Sequence, residues 1–572
     1  MSLSPIPDTP FPIDPTQWES FAGHFERLLH VPLDEANVRD WLREWSDLNR
    51  LVDEAGAIVY IESTLDTADP AREQAFLNYV ENVDPNYRRA EQALKERLLA
   101  FAADDDAFGP EMRMALRKMR NQADLFREAN VPLFTELAKL GNEYDKLTGA
   151  MKADWDGEEK NLSQLDSLLQ NRNRATRERA WKTIMGLWQD KRAELNTVYR
   201  QMLELRRQIA ENAGLPDFRA YTFRAYNRFD YTPDDSLLFH DAIEAVVVPA
   251  ARRVYEKKRA QLGLDALRPW DAEVDAAGQP LQPYQGQDAL IQGSLNMFEH
   301  VDGTLARQFA TMAEEGLLDL DTRAGKALGG YCSSLNWRQR PYIFMNGDGT
   351  HDDLQTMLHE AGHAFHAFES YALPYVWQLD VPMEFCEVAS MSMELLAAPY
   401  LTRRFDGFYT EAEAARARIE HLSKILTFLP YMAVVDGFQH WVYTHPEAAL
   451  DAAACDKAWG DLWDRFMRGI DWTGFEAERV SGWHRKLHIF HVPFYYIEYG
   501  MAQVGALQVW RNALRDQAEA VATYRQALQL GGTRPLPELF SAAGAAFRFD
   551  EALLTELVDL IETTLAQLER AN

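Results

Sequence analysis

Apolar residues spaced three and four positions apart restrict the N-terminal third of this chain to helices. The pattern runs from about Gln17 to Gln208 and includes pairs such as Leu165 and Leu169. Residues at this spacing share one face of an α-helix, so the stretch is predicted to be a set of helices packed through their apolar faces. Helical spacing returns at His351 and continues, with interruptions, to the C-terminus. The sequence therefore predicts a mainly α fold.

One β-strand is predicted, at Arg340 to Asn346, so any sheet should be small. This run, RPYIFMN, is apolar and aromatic and is bounded by Gly329-Gly330 upstream and by Gly347-Asp348-Gly349 downstream. The stretch from Asp271 to Gln287 collects Gly, Pro, Gln and Asp and is predicted to be a surface loop.

Length and charge limit the possible partners. The chain has 572 residues, more than one compact core usually holds, so two or three packed sub-structures are expected. Lys and Arg number 59 against 88 Asp and Glu, a net charge of −29. This balance disfavours binding to nucleic acid or to an anionic membrane surface.

The cysteine content and the N-terminal sequence indicate where in the cell the protein is located. The three cysteines, Cys332, Cys386 and Cys455, are too few and too far apart for a disulfide framework or a four-thiolate zinc site. The N-terminus has no basic and apolar signal pattern, and no apolar run approaches the roughly 20 residues that span a bilayer. We therefore expect a cytoplasmic protein.

An HExxH word, His359-Glu360-Ala361-Gly362-His363, carries the clearest chemical signal. Thr350 and the acids after it suit a helix start, and apolar residues then follow at helical spacing. Four helical steps bring two residues to within about 40° of each other and about 6 Å apart along the axis. His359 and His363 can therefore reach one metal ion from the same helix face.

A catalytic zinc site needs a third protein ligand. A histidine ten positions after His359 would indicate a metzincin, but that position is Glu369. In the segment VPMEFCEVASMSMELL, Glu384 lies in the first turn and has a capping explanation. Glu387 lies one turn further on among apolar residues, where a metal would offset the cost of burying a carboxylate. We assign Glu387 as the third ligand. Glu394 shares its face and could accept the second ring N–H of a ligating histidine, or be an ordinary surface acid.

These residues resemble the M3 family of zinc peptidases, which includes thimet oligopeptidase and oligoendopeptidase F. The likeness lies in His359 to His366, in the word Glu387-Val388-Ala389-Ser390, and in the His/Tyr-rich segment from His488 to Tyr499. It looks closest to the branch that contains the bacterial Pz-peptidases. The resemblance implies a two-lobed helical peptidase with a deep central channel and a small sheet beside the HExxH helix. Residues 1–200 would form a wall or lid and residues 201–572 the catalytic region.

The resemblance also implies one Zn²⁺ per chain and short, unfolded peptides as substrates. Glu360 follows a ligand on the same helix and is expected to act as the general base. His366 is interpreted as packing or as support behind the ligands. For stabilising the oxyanion we favour His488 and Tyr499; the other His/Tyr residues of the segment, His491, Tyr495 and Tyr496, are candidates for the same task or for substrate binding.

Peptide binding is expected near the predicted strand. An exposed edge there would pair with an extended peptide, so Ile343 and Phe344 are candidate substrate contacts, although a buried strand is as compatible with the sequence. Gly330 and Tyr331 would admit the substrate backbone closely or only turn the chain.

Three alternatives stay open on the sequence. An exopeptidase such as an aminopeptidase would need an anchor for a terminal amine, which the sequence does not identify. A metal-free peptide-binding protein would be expected to have lost one of His359, Glu360, His363 or Glu387, and all four are intact. Cobalt or manganese would also suit imidazole and carboxylate ligands. Oligomeric state is not indicated.

Overall fold

Helices form most of this computed structural model, which describes residues 6–276, 278–323 and 325–571. The α-helices of these residues are α1 (Glu19–His30), α2 (Val38–Leu65), α3 (Pro70–Asn78), α4 (Asp84–Phe101), α5 (Arg113–Leu125), α6 (Val131–Gly149), α7 (Leu162–Asp166), α8 (Arg174–Asn212), α9 (Phe218–Ala225), α10 (Pro233–Ala242), α11 (Val248–Gln261), α12 (Gln287–Val301), α13 (Gly303–Glu314), α14 (His351–Ser370), α15 (Met383–Ala397), α16 (Glu411–Thr444), α17 (Ala452–Phe466), α18 (Glu476–Val480), α19 (Leu487–His491), α20 (Tyr496–Ala513), α21 (Gln517–Leu528), α22 (Leu536–Ala542) and α23 (Glu551–Ala571). The strands are β1 (Lys152–Trp155), β2 (Glu158–Asn161), β3 (Leu318–Asp321), β4 (Tyr331–Leu335) and β5 (Arg340–Gly347). The predicted mainly α fold with small sheets is confirmed.

A β-hairpin interrupts the predicted N-terminal helices. Strands β1 and β2 pair antiparallel, and Asp156 and Gly157 between them both have positive φ, 58° and 90°. An Asp-Gly pair between strands is a strong signal for a two-residue hairpin turn. The local sequence WDGE therefore predicts a hairpin turn, but the helical spacing of the residues around it led to a prediction of helix.

The second sheet has the order β3-β5-β4 and corrects the prediction of an exposed edge at the RPYIFMN strand. This run lies in β5, the central strand, which pairs parallel with β3 and antiparallel with β4. Ile343 and Phe344 are fully buried, which corresponds to the buried strand that the sequence left open and leaves no exposed side chain for a substrate to contact in this structure. An unbroken apolar run is typical of a strand covered on both faces. The edge next to α14 is β4, and Tyr331, predicted as part of a turn, begins it.

The N-terminal helices have a core of their own that meets the second sheet. Side chains of α1, α2, α4 and α5 pack around Trp45. Glu54 of α2 is buried, and its carboxylate accepts hydrogen bonds from the backbone N–H groups of Trp337 and Arg338 at 2.8 and 2.9 Å. A third bond comes from Arg338 Nε at 2.6 Å. These bonds join the N-terminal helices to the turn between β4 and β5.

The predicted loop at 271–287 is irregular, but it is not a plain surface loop. Val274, Leu281 and Tyr284 are buried, and the Tyr284 hydroxyl donates to Asp353 Oδ2 at 3.1 Å. Residue 277 lies outside the described residues. The loop therefore supports the start of α14.

Close packing of α14, α15 and α20 forms the centre of the second core. A Cβ added to Gly362 of α14 would lie 2.5 Å from Ser390 Cα of α15, and one added to Gly505 of α20 would lie 2.8 Å from a methyl of Val388. Only glycine allows these helices to approach so closely. Among the described residues, no helix combines the length and apolar character needed to cross a membrane.

Candidate active site

The HExxH word lies in the middle of α14, as predicted. Thr350 caps the helix: its hydroxyl accepts from the Asp353 N–H, and the Asp353 carboxylate accepts from the Thr350 N–H in return. The rings of His359 and His363 are 4.9 Å apart and nearly perpendicular, at 84°. Both imidazoles therefore reach one point beside the helix.

Glu387 of α15 faces both histidines. Its Oε2 lies 3.2 Å from His359 Nε2 and 3.6 Å from His363 Nε2. One ligand atom from each of the three residues lies within 4.8 Å of the others, and no other described group of three potential ligands meets this condition. Two imidazole nitrogens and one carboxylate oxygen are a donor set that suits a divalent zinc-like ion with one position left open. The residues present fit such an ion.

Two further side chains hold Glu387 in place. The Tyr495 hydroxyl donates to Oε1 at 2.6 Å, and the Ser390 hydroxyl donates to Oε2 at 3.0 Å. Burial raises the pKa of Glu387, but His363, His359 and Tyr495 outweigh it and lower this pKa to about 2. The carboxylate is therefore ionised, which metal ligation requires.

Glu394 joins His359 to a third histidine that the sequence did not single out. Its Oε1 lies 2.8 Å from His359 Nδ1, the contact predicted for it, and its Oε2 lies 2.8 Å from His421 Nε2 of α16. Burial raises the pKa of Glu394, but the bonds to His359 and His421 lower it to about 2. No local signal marks His421, because it lies 27 residues further along the chain on another helix.

Glu360 is buried in the wall of the site beside β4. Its Oε2 has no hydrogen-bond partner among the described residues, and burial raises its pKa to about 7. Gly330, just before β4, lies against this surface: a Cβ there would be in tight contact with Thr356 at 3.1 Å and in ordinary contact with Glu360 Oε1 at 3.7 Å. A carboxylate with a pKa near neutrality is suited to moving protons.

The His/Tyr-rich segment separates into residues near the site and one that points away. His488 Nε2 lies 3.3 Å from the Tyr499 hydroxyl, and both residues line the cavity described below. His491 instead pairs with Asp145 of α6 at 2.9 Å and is exposed, so it is not brought to the site. Tyr495 is engaged with Glu387, and Tyr496 is buried against the cavity.

An unusual backbone conformation brings Tyr495 to Glu387. Phe494 has a φ of 65°, in the left-handed region that non-glycine residues rarely adopt. Its N–H donates to Gln439 Oε1 at 2.7 Å, and its carbonyl accepts from the buried Arg228. Arg228 also bonds to Glu498 Oε1 at 2.7 Å. These hydrogen bonds hold Phe494 in its strained backbone conformation.

Glu384 and His366 both lie in the core. Glu384 lies in the first turn of α15, as predicted, but its carboxylate is buried: it accepts from the Tyr231 hydroxyl at 2.5 Å and lies 3.6 Å from Arg228 Nε. His366 packs edge-on against Phe385, and burial lowers its pKa to about 3. It contributes packing behind the ligand helices.

A cavity of about 650 Å³ opens beside the three potential ligands. It lies between α14, α15, α16 and α20, and His359, Glu394, His421, His488 and Tyr499 form part of its wall. Aromatic residues, among them Trp181, Tyr255, Trp463 and Trp472, also line it. A cavity of this size can hold several side chains of a bound peptide.

Comparisons with known protein families agree with the resemblance drawn from the motifs. The pattern described as "Peptidase family M3" matches residues 167–559, and the one described as "Peptidase M3 N-terminal domain" matches residues 9–126. An oligoendopeptidase F homolog of Mycoplasma pneumoniae is 22% identical over 71% of this chain and 69% of its own length. Oligopeptidase PepF of Bacillus subtilis is 23% identical over 55% of this chain and 48% of its own length.

Solved structures give the same result over nearly the whole chain. Pz peptidase A, solved with an inhibitor, has a TM-score of 0.92 and 28% identity, and the match covers 98% of this chain and 99% of that one. A Bacillus anthracis protein assigned to oligoendopeptidase F has a TM-score of 0.85 and 25% identity, with 98% of each chain covered.

Proposed function

Since the chain belongs to peptidase family M3, and is therefore an enzyme that hydrolyses peptides with a metal, we propose that it is a zinc endopeptidase acting on internal bonds of short, unfolded peptides. The observation that supports this most is the meeting of His359, His363 and Glu387 around one point, with Glu360 beside them. The related proteins named as oligoendopeptidases support the choice of internal bonds.

Three residues would hold the ion: His359, His363 and Glu387. When bound, Zn²⁺ supplies Lewis-acid polarisation of the scissile carbonyl and acidifies water. The chain's own part is to keep Glu387 ionised and oriented through Tyr495 and Ser390, and to orient His359 through Glu394. Such outer hydrogen bonds hold a ligand in the geometry that an ion needs.

Glu360 is the general base in this proposal. Its carboxylate accepts a proton from the attacking water at Oε2 and returns it to the leaving amine. Two properties support this role: Oε2 has no hydrogen-bond partner in the part of the chain that the structure describes, and the pKa of Glu360 is near 7 without a metal. A cation bound nearby would favour the carboxylate, so the base would be ionised below pH 7 as well.

Tyr499 and His488 are the proposed donors to the oxyanion. The Tyr495 hydroxyl already donates a hydrogen bond to Glu387, whereas the Tyr499 hydroxyl and His488 Nε2 face each other at the cavity wall. A donor of this kind is worth on the order of 10²–10³ in rate.

Substrate length would be limited by the N-terminal region. The edge strand β4 offers main-chain groups to an extended peptide, and α2 and α6 of residues 1–200 pack beside it and beside the His/Tyr segment. We propose that this region acts as a wall or lid that admits short unfolded peptides and excludes folded proteins.

The test is mass-spectrometric mapping of cleavage in a mixed peptide library, with and without a chelator, together with metal analysis of the purified enzyme. We expect about one zinc per chain and cuts at internal bonds that disappear on chelation. Cuts confined to one terminus would establish an exopeptidase instead. Active protein without a stoichiometric transition metal would contradict the proposal.

Replacing Glu360 tests the base separately. Glu360→Gln should retain one equivalent of zinc while kcat falls by on the order of 10²–10⁴. Glu194→Gln, an exposed change on α8, serves as the control and should leave kcat unchanged. Near-normal kcat in Glu360→Gln would remove this residue as the base.

A further inference from the structure

Lys486 contributes a positive charge to the cavity wall that pairs with no carboxylate of the described residues. Lys486, just before α19, lines the cavity together with His488 and Tyr499. Its ammonium lies over the rings of Tyr431 and Tyr496, 5.2 and 4.8 Å from their centroids. In the part of the chain that the structure describes, no Asp or Glu forms an ion pair with it.

The other cavity charges near the metal cluster are already matched. Lys424 pairs with Asp352 and, at 3.1 Å, with Glu420. Glu394 lies between His359 and His421. The remaining carboxylate of the lining, Glu273, is exposed to solvent. Among the described residues that line the cavity, a bound ligand therefore meets Lys486 as a cationic side chain without an acidic partner.

The two tyrosine rings hold the Lys486 ammonium without satisfying its donors. Ring faces attract a cation, but the three N–H bonds of an ammonium still need acceptors. Partial removal from water strengthens a charge-assisted hydrogen bond to an anionic acceptor. This is an arrangement that favours a carboxylate over a neutral amide.

We propose that Lys486 binds a carboxylate of the peptide that lies in this cavity, either its C-terminal carboxylate or an Asp or Glu side chain. The inference rests on the proposed function, because it takes peptides as the occupants of the cavity. The chain has a net charge of −29, so acidic peptides are repelled by the surface as a whole. A local cation is what allows such a peptide to bind beside the metal cluster.

Binding of three matched peptides tests the proposal without turnover. All share one sequence: the first has a free C-terminal carboxylate and no acidic side chain, the second is C-terminally amidated, and the third is amidated with one Gln changed to Glu. Dissociation constants are measured by calorimetry on zinc-loaded Glu360→Gln protein. At least one carboxylate peptide should bind about tenfold more tightly than the neutral amide, as expected for one charge-assisted hydrogen bond.

Variants of Lys486 in the same background decide whether this lysine is the cause. Lys486→Met should bring the ratio of the dissociation constants of the neutral and carboxylate peptides to near one, and Lys486→Arg should retain most of this ratio. Unchanged thermal midpoints would show that both variants fold. Lys457→Met, an exposed change on α17, should leave the ratio as it was. Comparing the dissociation constants of the first and second peptides measures the effect of the C-terminal carboxylate. Comparing those of the third and second peptides measures the effect of the Glu side chain.

Three results would overturn the inference: no discrimination by either carboxylate, discrimination that persists in Lys486→Met, or no binding of any peptide. The outcome is separable from that of the proposed function. Lys486-dependent binding without hydrolysis by the wild-type enzyme would leave the inference standing and remove the peptidase proposal. Chelator-sensitive hydrolysis by an enzyme that does not prefer carboxylate peptides would support the peptidase proposal and overturn the inference about Lys486.

Discussion

At the scale of single residues, the site depends on hydrogen bonds between acids and imidazoles from three helices. Glu387 meets His359 and His363, and Glu394 connects His359 to His421. Each carboxylate oxygen therefore has a defined partner. Buried acids arranged in this way are ionised because their partners outweigh the cost of burial.

Loss of His421 is predicted to weaken metal binding. In His421→Leu, Glu394 Oε2 loses its donor, so Glu394 holds His359 Nδ1 less firmly, and we expect zinc affinity to fall about tenfold or more. His421→Gln can still donate to Glu394 and should restore most of the affinity. Chelator competition on the metal-free protein measures this independently of activity. His445→Leu, an exposed change just after α16, is the control, and equal affinities in all the variants would contradict the prediction.

At the scale of elements, α14, α15 and α20 form one unit whose spacing is set by glycines. Gly362 lies inside the HExxH word, yet its contact is with the backbone of α15 rather than with the metal ligands. The distance between His363 and Glu387 therefore depends on how closely these two helices pack.

Gly362→Ala is predicted to separate α14 from α15. The new Cβ would lie 2.5 Å from Ser390 Cα and 2.7 Å from Ala389 O, and backbone cannot yield as a side chain can. We expect a loss of roughly 1–3 kcal/mol of unfolding free energy from overpacking, with weaker zinc binding. Thermal unfolding and chelator competition measure the two effects.

Gly186→Ala provides the matched control for this change. Gly186 is exposed in the middle of α8, and a Cβ there meets nothing within 4 Å. Alanine at this position should raise stability by roughly 0.5–1 kcal/mol, because it lowers the entropy of the unfolded chain. A Gly362→Ala protein as stable as wild type would show that the helix spacing is not set by this contact.

At the scale of the whole molecule, the N-terminal helices meet the second sheet through polar groups of α2. Glu54 bonds to the turn between β4 and β5, and next to it Asp53 Oδ2 accepts from Asn336 Nδ2 at 3.3 Å. Burial, followed by repulsion from Glu91, raises the pKa of Asp53 to about 7. This carboxyl therefore favours its protonated form in the folded protein.

The sign of the pH effect follows from this shift. The ordinary pKa of an aspartate is about 3.9, so between about pH 4 and pH 7 the folded chain holds a proton at Asp53 that the unfolded chain has lost. The contribution of this group to stability is complete below pH 4 and is lost as the pH rises towards 7. Asp53→Asn should remove this contribution to the pH dependence and raise the melting temperature at pH 8. The exposed change Asp190→Asn should do neither; equal melting curves for Asp53→Asn and wild type at pH 8 would contradict the prediction.

Much of the site followed from the sequence because its strongest signals are local. The four-residue spacing of His359 and His363, the cap at Thr350 and the apolar neighbours of Glu387 all act within one or two helical turns. The family resemblance that these motifs carried is confirmed by the match over residues 167–559. The helical fold was predictable for the same reason, since apolar spacing reports the face of each helix.

Tertiary structure alone decided which distant side chains meet. It made β5 the central strand, so Ile343 and Phe344 are buried, and it turned His491 towards Asp145 while His488 stayed at the cavity. It also brought His421 to Glu394, placed Glu384 in the core with Tyr231, and gave the Lys486 ammonium two aromatic neighbours but no ion pair with an acid among the described residues. These contacts join residues on separate elements, and local periodicity carries no information about how one element is placed against another.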